Sequence, residues 1–363
     1  MIFHRFRDIE HLWKKHSPSD AFLQFEFFLA LENSGSIGES TGWIPLIIGQ
    51  EETGLLYTFI KLHSYGEFIF DWEWARAYQA HGLDYYPKLT SMVPLTPVNN
   101  PHFVMKEFQK DKADLLIEEL ETYFKNHGLS SSHILFLPED EVAYFKNRGY
   151  MIRESFQYHY ENRFRDFKHF LSELKPKKAK HIAQERIFPD LSITKYTGTE
   201  LTKEHATRMY QFYLTTIDKK DGQAYLTETF FDEIFVTLRD KILYVEATEN
   251  ENPVAGSLFL FDEKRLYGRY WGSLKEIRNL HFELCYYQGM DFCFERKIPL
   301  FEAGAQGEHK IPRGFRPVKI FSAHQIKQPA FANAIEKFVE SEKGHVEELI
   351  AELSKKLPFR FDP

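Results

Sequence analysis

Cysteine is scarce in this chain of 363 residues: there are two, Cys285 and Cys293, both inside one helical pattern. That excludes a disulfide framework and a cysteine-built zinc site, and a reducing cytoplasm fits. Long apolar runs are missing too. The nearest, residues 21–31, is interrupted by Gln24 and Glu26 and falls short of a bilayer-spanning length, so no integral membrane contact is expected. Residues 1–8 lack the apolar core of a secretory signal. No Gly-x-Ser-x-Gly elbow occurs, so His63-Ser64 is not a hydrolase nucleophile signature. Positive charge is in deficit. The net charge of −7 argues against a protein that coats itself with nucleic acid everywhere, but leaves room for a local basic patch. No metal site is expected.

Aromatic residues are in excess, at 16% with 35 Phe. Large aromatic cores explain this, and so does a ring-lined ligand pocket; composition does not separate the two. With 43% hydrophobic and 27% charged residues the class is soluble and globular. The length suits two domains.

The chemistry concentrates in one stretch, residues 301–315, where Glu302, Glu308, His309, Lys310 and Arg313 stand among three glycines. It reads as a polar loop between two strands, where a rigid scaffold presents function. Gly304, Gly307 and Gly314 shape the backbone, and Phe315 anchors the loop to the core. His309 titrates near neutral pH without tuning. Lys310 and Arg313 suit a phosphate, a carboxylate or a developing oxyanion. Against this stands a structural reading in which Glu302 pairs with Arg313 or Arg269 and merely holds the loop.

In the first half, periodicity predicts helices over 21–32, 74–81, 112–127 and 140–148, and strands over 43–49, 54–61, 133–137 and 156–160. Residues 85–88 and 94–101 read as ordered loop, because proline removes donors and blocks helix. On the 112–127 helix, Leu115, Leu116, Ile117, Leu120, Tyr123 and Phe124 lie on or near one face. Residues 61–72 are dense in polar and aromatic groups. They form either a turn with satisfied side chains or a site wall carrying Lys61, His63, Ser64 and Glu67.

Residues 163–186 are locally basic and include Lys175, Lys177, Lys178 and Lys180. This joint is either a solvated amphipathic connector or a phosphate-binding patch for a nucleotide, a coenzyme or RNA. The second half reads as strand 191–196, helices 200–216 and 230–238, a meander over 242–247, 253–261 and 265–271, helix 280–296, strand 298–303, the loop, strand 316–326 and helix 330–356. On helix 280–296, His281, Cys285 and Gln288 share one face, with Glu283 and Tyr287 on the other. Arg269, in a strand of aromatic residues that includes Trp271, needs a buried partner, either Glu302 or Glu283.

A three-strand antiparallel meander followed by a helix and another strand resembles the GNAT acyltransferase core, and the first half reads as a degenerate version of it. Two such units in tandem resemble the FemAB-like, or FemX-like, aminoacyl transferases of peptidoglycan cross-bridges. The segments KLHSYGE (61–67), YYPKL (85–89), PLTPV (94–98), LYGRYWG (266–272), HFELCYYQG (281–289) and EAGAQGEHK (302–310) together resemble a bacterial family of N-acyltransferases. That family is labelled peptidoglycan biosynthesis/recognition and grouped with FemAB-like proteins.

The resemblance implies an α/β (α+β) fold of two tandem GNAT-like domains, with mixed, mostly antiparallel central sheets flanked by helices. The domains expected are 1–162, a basic helical joint 163–188, a second domain 189–327, and a helical segment 328–363 packing back on the first domain. It implies transfer of an acyl or aminoacyl group to an amine acceptor, a small molecule, cell-wall precursor or peptide. Lys310, His309, Glu302 and Glu308 are the catalytic candidates. Lys310 or Arg313 would stand for the lysine that FemX-like enzymes associate with the reacting carbonyl. Substrate contacts are expected from Arg313, Arg269, Trp271, Tyr287, Glu283, His281, His63, Ser64, Glu67 and Lys61. No cofactor is held tightly; the donor cosubstrate is aminoacyl-tRNA or acyl-CoA. The coenzyme A signature Arg/Gln-x-x-Gly-x-Gly/Ala is missing from SLKEIRN at 273–279. That favours aminoacyl-tRNA, contacted through Lys175, Lys177, Lys178 and Lys180. Two alternatives remain. One is a non-catalytic protein that uses the transferase fold to recognise a peptidoglycan-like or amino-compound ligand. The other is an acetyltransferase with an atypical coenzyme site, which requires a splayed cleft between 268–271 and 301–304.

Overall fold

The computed structural model describes residues 1–219, 222–304 and 307–361. Ala305 and Gln306, inside the expected site loop, lie outside the described residues. The chain forms two compact units, Met1–Phe156 with Lys319–Glu348, and Gln157–Val318 with Leu349–Pro363. The basic joint therefore belongs to the second unit instead of standing apart from both. The terminal helix Pro329–Ser354 begins in the first unit and ends in the second.

The first unit carries β1 (Ile2–Phe3), β2 (Trp43–Gln50), β3 (Gly54–Lys61), β4 (Lys88–Ser91), β5 (Phe103–Val104) and β6 (Ser131–Leu137). β1 through β4 pair antiparallel in order, with β5 against β3, and β6 then joins β4 in parallel. A parallel neighbour requires a crossover, and the helix Lys110–Asn126 supplies it. Ala113, Leu116, Ile117, Leu120 and Phe124 follow helical spacing and pack on Leu46, Leu56, Leu89 and Ile134 of the sheet. Leu115, expected on or near that face, is exposed. Lys88, expected in the 85–88 loop, opens the buried strand β4, and the Lys88 and Thr90 side chains find buried partners.

The chain leaves through β7 (Met151–Glu161). The second unit follows with β8 (Ser192–Thr197), β9 (Ile242–Glu249), β10 (Asn252–Phe261), β11 (Arg265–Ser273) and β12 (Leu300–Glu302), and β13 (Arg316–Ile326) closes the strand series. β8 through β11 are antiparallel in order, and β12 lies parallel to β11. An antiparallel strand follows the parallel one: β13 beside β6 in the first unit, and β7 beside β12 in the second. Both units thus have the expected antiparallel strands, helix and parallel strand, while strand 316–326, expected in the second domain, pairs with β6. The architecture is α/β, with mostly antiparallel strands flanked by helices.

Two expected helices are interrupted. Gln24 is extended, and it divides the 21–32 region into a short 3₁₀ turn, Ala21–Leu23, and the helix Phe25–Asn33. The 280–296 helix contains a π turn, Glu283–Tyr287. The wider winding lets Gln288 donate to Glu283 Oε1 at 2.8 Å, five residues back. Ideal α spacing had put these two side chains on different faces.

The helix Lys203–Asp218 lies directly on β11 at Gly272, where a Cβ would come within 1.6 Å of the Phe212 carbonyl oxygen. Backbone cannot yield as a flexible side chain does. Gly272→Ala is expected to cost more than about 3 kcal/mol, while Gly128→Ala, with nothing within 4 Å of its added methyl, changes stability by less than about 0.5 kcal/mol. Urea denaturation of the two variants checks this; equal midpoints would disprove the contact.

Candidate functional site

In the second unit, β11 and β12 stay paired only as far as Tyr267 and Glu302. β11 then continues alone on that side while the chain after Glu302 turns away. The register of β11 against β10 skips one residue here, from Phe259↔Gly268 to Leu258↔Tyr270, so Arg269 is the extra residue of a β-bulge. Bulges re-aim side chains. Arg269 Nη1 donates to the carbonyls of Gly268 at 2.9 Å and Glu302 at 3.2 Å, and Nη2 lies 3.7 Å from Glu302 Oε2. Arg265 Nη1 donates to Glu302 Oε1 at 3.2 Å. Of the partners anticipated for Arg269, Glu302 is the one it meets. Burial raises the Glu302 carboxyl, and the two guanidiniums oppose that rise.

The antiparallel partner of Glu302 is His159 on β7. Burial beside Arg265, Arg269 and Lys310 pushes His159 down to about 3, so it is neutral. Nothing in the sequence near residue 159 pointed to this, because the pairing joins strands far apart in the chain.

Lys310 lies on the 3₁₀ turn Glu308–Arg313 and is 2% exposed. Its ammonium donates to the Gly304 carbonyl at 2.9 Å and sits 5.5 Å from the centre of the Tyr158 ring. Desolvation first, and the Arg269 charge second, lower Lys310 to about 7. His309, exposed at one edge, shares a 2.7 Å hydrogen bond with the Tyr286 hydroxyl and lies against Phe282 and His281. Partial burial and the charges of Lys310 and Arg313 lower its pKa. His281 also packs on Trp271, ring centres 4.6 Å apart. Glu308 points elsewhere: it is exposed and meets Lys356 at 3.3 Å. Gly304, Gly307 and Gly314 all have positive φ. At Gly307 a Cβ would also strike the His309 ring at 2.4 Å. Phe315 is fully buried against Tyr160, Tyr286 and Phe301.

Arg313 does not reach Glu302. Its Nε and Nη2 bind Glu185 at 3.1 and 2.6 Å, and its guanidinium lies 3.4 Å from the centre of the Phe282 ring. The Tyr287 hydroxyl donates to the same Glu185. Glu283 takes Arg186 instead, through bonds of 2.8 and 2.9 Å, and Arg186 also holds Asp291. Glu185, at the end of the helix Pro176–Glu185, is thus buried and Arg186 just after it half-buried in the second unit, while Lys175, Lys177, Lys178 and Lys180 are exposed. A cavity of about 480 Å³ opens at the end of this helix, lined by His181, Glu185, Asp190, Glu249, Arg278 and Asn279 among others.

The first unit holds a second buried polar cluster. Lys88, fully buried, donates to Ser64 at 2.9 Å, to Glu67 at 2.7 Å and to Asp71. Asp71 also accepts from Tyr85 at 2.6 Å, and Tyr85 meets His133, which bonds His324 at 2.7 Å. Lys61 sits 3.4 Å from the centre of the Trp43 ring and donates to the Tyr65 carbonyl; burial lowers it to about 6. His63 is tied to the Thr41 carbonyl at 2.8 Å, holding the turn. Ser64 and Glu67 therefore meet at Lys88, and Lys61 and His63 lie on other partners.

Among the described residues, no helix is long and apolar enough to cross a membrane. The sequence matches the model of one family, FemAB-like, described as peptidoglycan biosynthesis/recognition, over residues 7–361. No curated protein matches. Similar solved structures include FemX, at 10% identity and a TM-score of 0.56, covering 93% of this chain and 100% of that one. The C-terminal domain of a putative lysylphosphatidylglycerol synthetase from Agrobacterium fabrum matches at 8% identity, with 92% and 97% coverage and a TM-score of 0.51. L-PGS from Bacillus licheniformis matches at 11% identity, with 88% and 96% coverage and a TM-score of 0.52.

Removing Lys88 would strand two buried carboxylates. Lys88→Met is therefore expected to cost about 3–5 kcal/mol, read from chemical denaturation. A loss below about 1 kcal/mol would mean that the cluster is not a buried ion triad.

Proposed function

The chain belongs to the FemAB-like family, and we propose that it is an N-acyltransferase that moves an aminoacyl group from an activated ester to an amine acceptor at the second unit's Lys310 turn. The observation that carries this reading is Lys310 itself: a buried lysine lowered to about 7, beside Arg269 and the end of a parallel strand pair. A group that titrates near the working pH is suited to proton and charge transfer.

In the step proposed, the acceptor nitrogen attacks the acyl carbonyl carbon and the carbonyl oxygen takes the electron pair. The Lys310 ammonium donates to that oxyanion, with the Arg269 charge behind it. Collapse of the intermediate breaks the bond to the leaving oxygen. His309, neutral at pH 7 and steadied by Tyr286, takes the proton from nitrogen and gives it to the leaving alkoxide. Glu302 orients Arg269. Trp271, His281 and Phe282 form an aromatic wall beside His309. Glu308, paired at the surface, has no part in this step.

The donor is inferred from the missing coenzyme A signature and from the exposed lysines of the joint. The SLKEIRN approach has no glycine to build a pyrophosphate cradle for coenzyme A. Exposed Lys175, Lys177, Lys178 and Lys180 supply phosphate contacts for an aminoacyl-tRNA instead. One protein of similar fold is named for making a lysyl-bearing lipid, which is consistent with an aminoacyl donor. The acceptor is an amine of a cell-wall precursor or peptide.

Mass spectrometry with acyl-CoA and aminoacyl-tRNA donors against a panel of amines tests the reaction. Transfer from aminoacyl-tRNA is expected, and tRNA binding should weaken as salt rises. Saturable ligand binding without turnover by either donor would favour the recognition reading.

Lys310→Ala should lower kcat about 10²–10³-fold. The wild-type kcat/KM should climb with pH and level off above about 7, because Lys310 loses its proton there as the acceptor amine becomes free. Lys310→Arg keeps a cation that does not titrate. It should retain part of the activity, and its profile should climb on to the amine's own pKa. A Lys310→Arg variant as inactive as Lys310→Ala would mean that Lys310 acts as a base and not as the donor to the oxyanion.

A further inference from the structure

Glu185 is buried and has no part in the chemistry above, yet it binds the turn that carries Lys310 from 128 residues away in sequence. Both of its oxygens are used. Oε2 accepts from Arg313 Nε and the Tyr287 hydroxyl, and Oε1 accepts from Arg313 Nη2, with His181 Nε2 at 3.1 Å. The remaining arm of Arg313, Nη1, donates to the His309 carbonyl. That carbonyl forms the peptide bond to Lys310. Backbone bonds close the turn at its ends: Lys310 N–H to the Gly307 carbonyl, Gly314 N–H to the Ile311 and Lys310 carbonyls, and Phe315 N–H to the Lys310 carbonyl. Phe282 covers the guanidinium face, so Arg313 is held in a plane as well as at its ends.

A buried ion pair of this kind is seldom the most stable choice, since desolvating both charges offsets their attraction. What it gives is a fixed direction: a planar fork on a carboxylate allows few alternative poses. Arg186, the next residue, holds Glu283 and Asp291 on the π-containing helix. Two consecutive residues therefore tie one end of the joint to both the Lys310 turn and the helix behind it.

We propose that Glu185 is a positioning residue for the transfer reaction: acting through Arg313, it fixes the His309–Lys310 peptide and so the place of the Lys310 ammonium. The proposal rests on the reading of Lys310 as the reacting cation. It reassigns Arg313 from substrate contact to clamp.

The test uses Glu185→Gln, which keeps shape and one acceptor but removes the charge. Two readouts are taken on the full chain. The first needs no substrate: ¹³Cε-lysine NMR follows the titration of Lys310, assigned by its loss in Lys310→Met. Groups bearing on that signal are Arg269, Cys285, the Tyr158 ring and the Gly304 carbonyl. Release of the turn should admit water and move the Lys310 midpoint up from about 7 toward the ordinary lysine value. The second readout is transfer: kcat should fall about 10–100-fold, with KM little changed. An unmoved Lys310 midpoint in a folded Glu185→Gln protein overturns the proposal, whatever the kinetics. A moved midpoint in a protein that catalyses no transfer supports the clamp and counts against the function instead. If Glu185→Gln does not fold, Arg313→Lys, which keeps the charge and loses the fork, is read the same way. Failure of both to fold would make the pair a folding element and overturn the positioning role.

Discussion

Ions removed from water must find partners, and in this protein that requirement decides where the polar groups lie. Lys88 with Glu67 and Asp71, Glu302 with Arg269, and Arg313 with Glu185 are all sets of charges in a nearly dry interior. Each charge left alone would cost several kcal/mol, on the order of the stability of a whole domain. The geometry around each set is accordingly closed, and two of the three involve strands at or beside a parallel pair. In the first unit Lys88 opens β4; in the second Glu302 ends β12.

Strand topology explains the coincidence. A parallel neighbour reached through a helix ends a run of antiparallel strands in both units. The backbone there is served by slanted hydrogen bonds. In the second unit pairing stops after three residues of each strand, which frees β11 to bulge at Arg269 and the chain after Glu302 to form the Lys310 turn. In the first unit the parallel strand carries His133 opposite His324 in the middle of its parallel pairing, whereas Glu302, at the end of its own, stands opposite His159. Only the second unit has a buried lysine on a turn directly after its parallel strand, where the first has the helix Glu139–Asn147.

Much of this was legible in the sequence. Periodicity located the meander, the crossover helices and the glycine-spaced turn, because each depends on neighbours within a few residues. The candidates Glu302, His309 and Lys310 fall within one short stretch; in the structure Glu302 pairs with Arg265 and Arg269, Lys310 feels the Arg269 charge, and His309 lies against Tyr286 and Phe282. What the sequence could not tell was partner choice. Arg313 turned to Glu185 and Glu283 to Arg186, and both partners come from a joint that reads as a solvated basic connector. The π turn at Glu283 was equally hidden, set by tertiary packing with no proline to announce it, whereas the bulge at Arg269 follows Gly268, and a glycine inside a strand is a bulge signal. β4 was missed because its polar residues are satisfied by groups elsewhere in the first unit.

Lys310 shows why these hidden features matter. A lysine on an open loop would hold its proton through the whole physiological range and stay hydrated. Here burial takes water away, and the bulge turns the Arg269 charge toward the same spot, so the ammonium becomes easier to deprotonate. An oxyanion forming beside it would reverse that balance by bringing negative charge to the two cations. The ammonium would then be held most firmly when charge develops on a bound substrate, and least firmly before. Differential stabilisation of that kind accelerates a reaction, whereas uniform binding does not. Under the proposed transfer, both it and the lowered pKa come from one arrangement: a cation kept dry next to another cation.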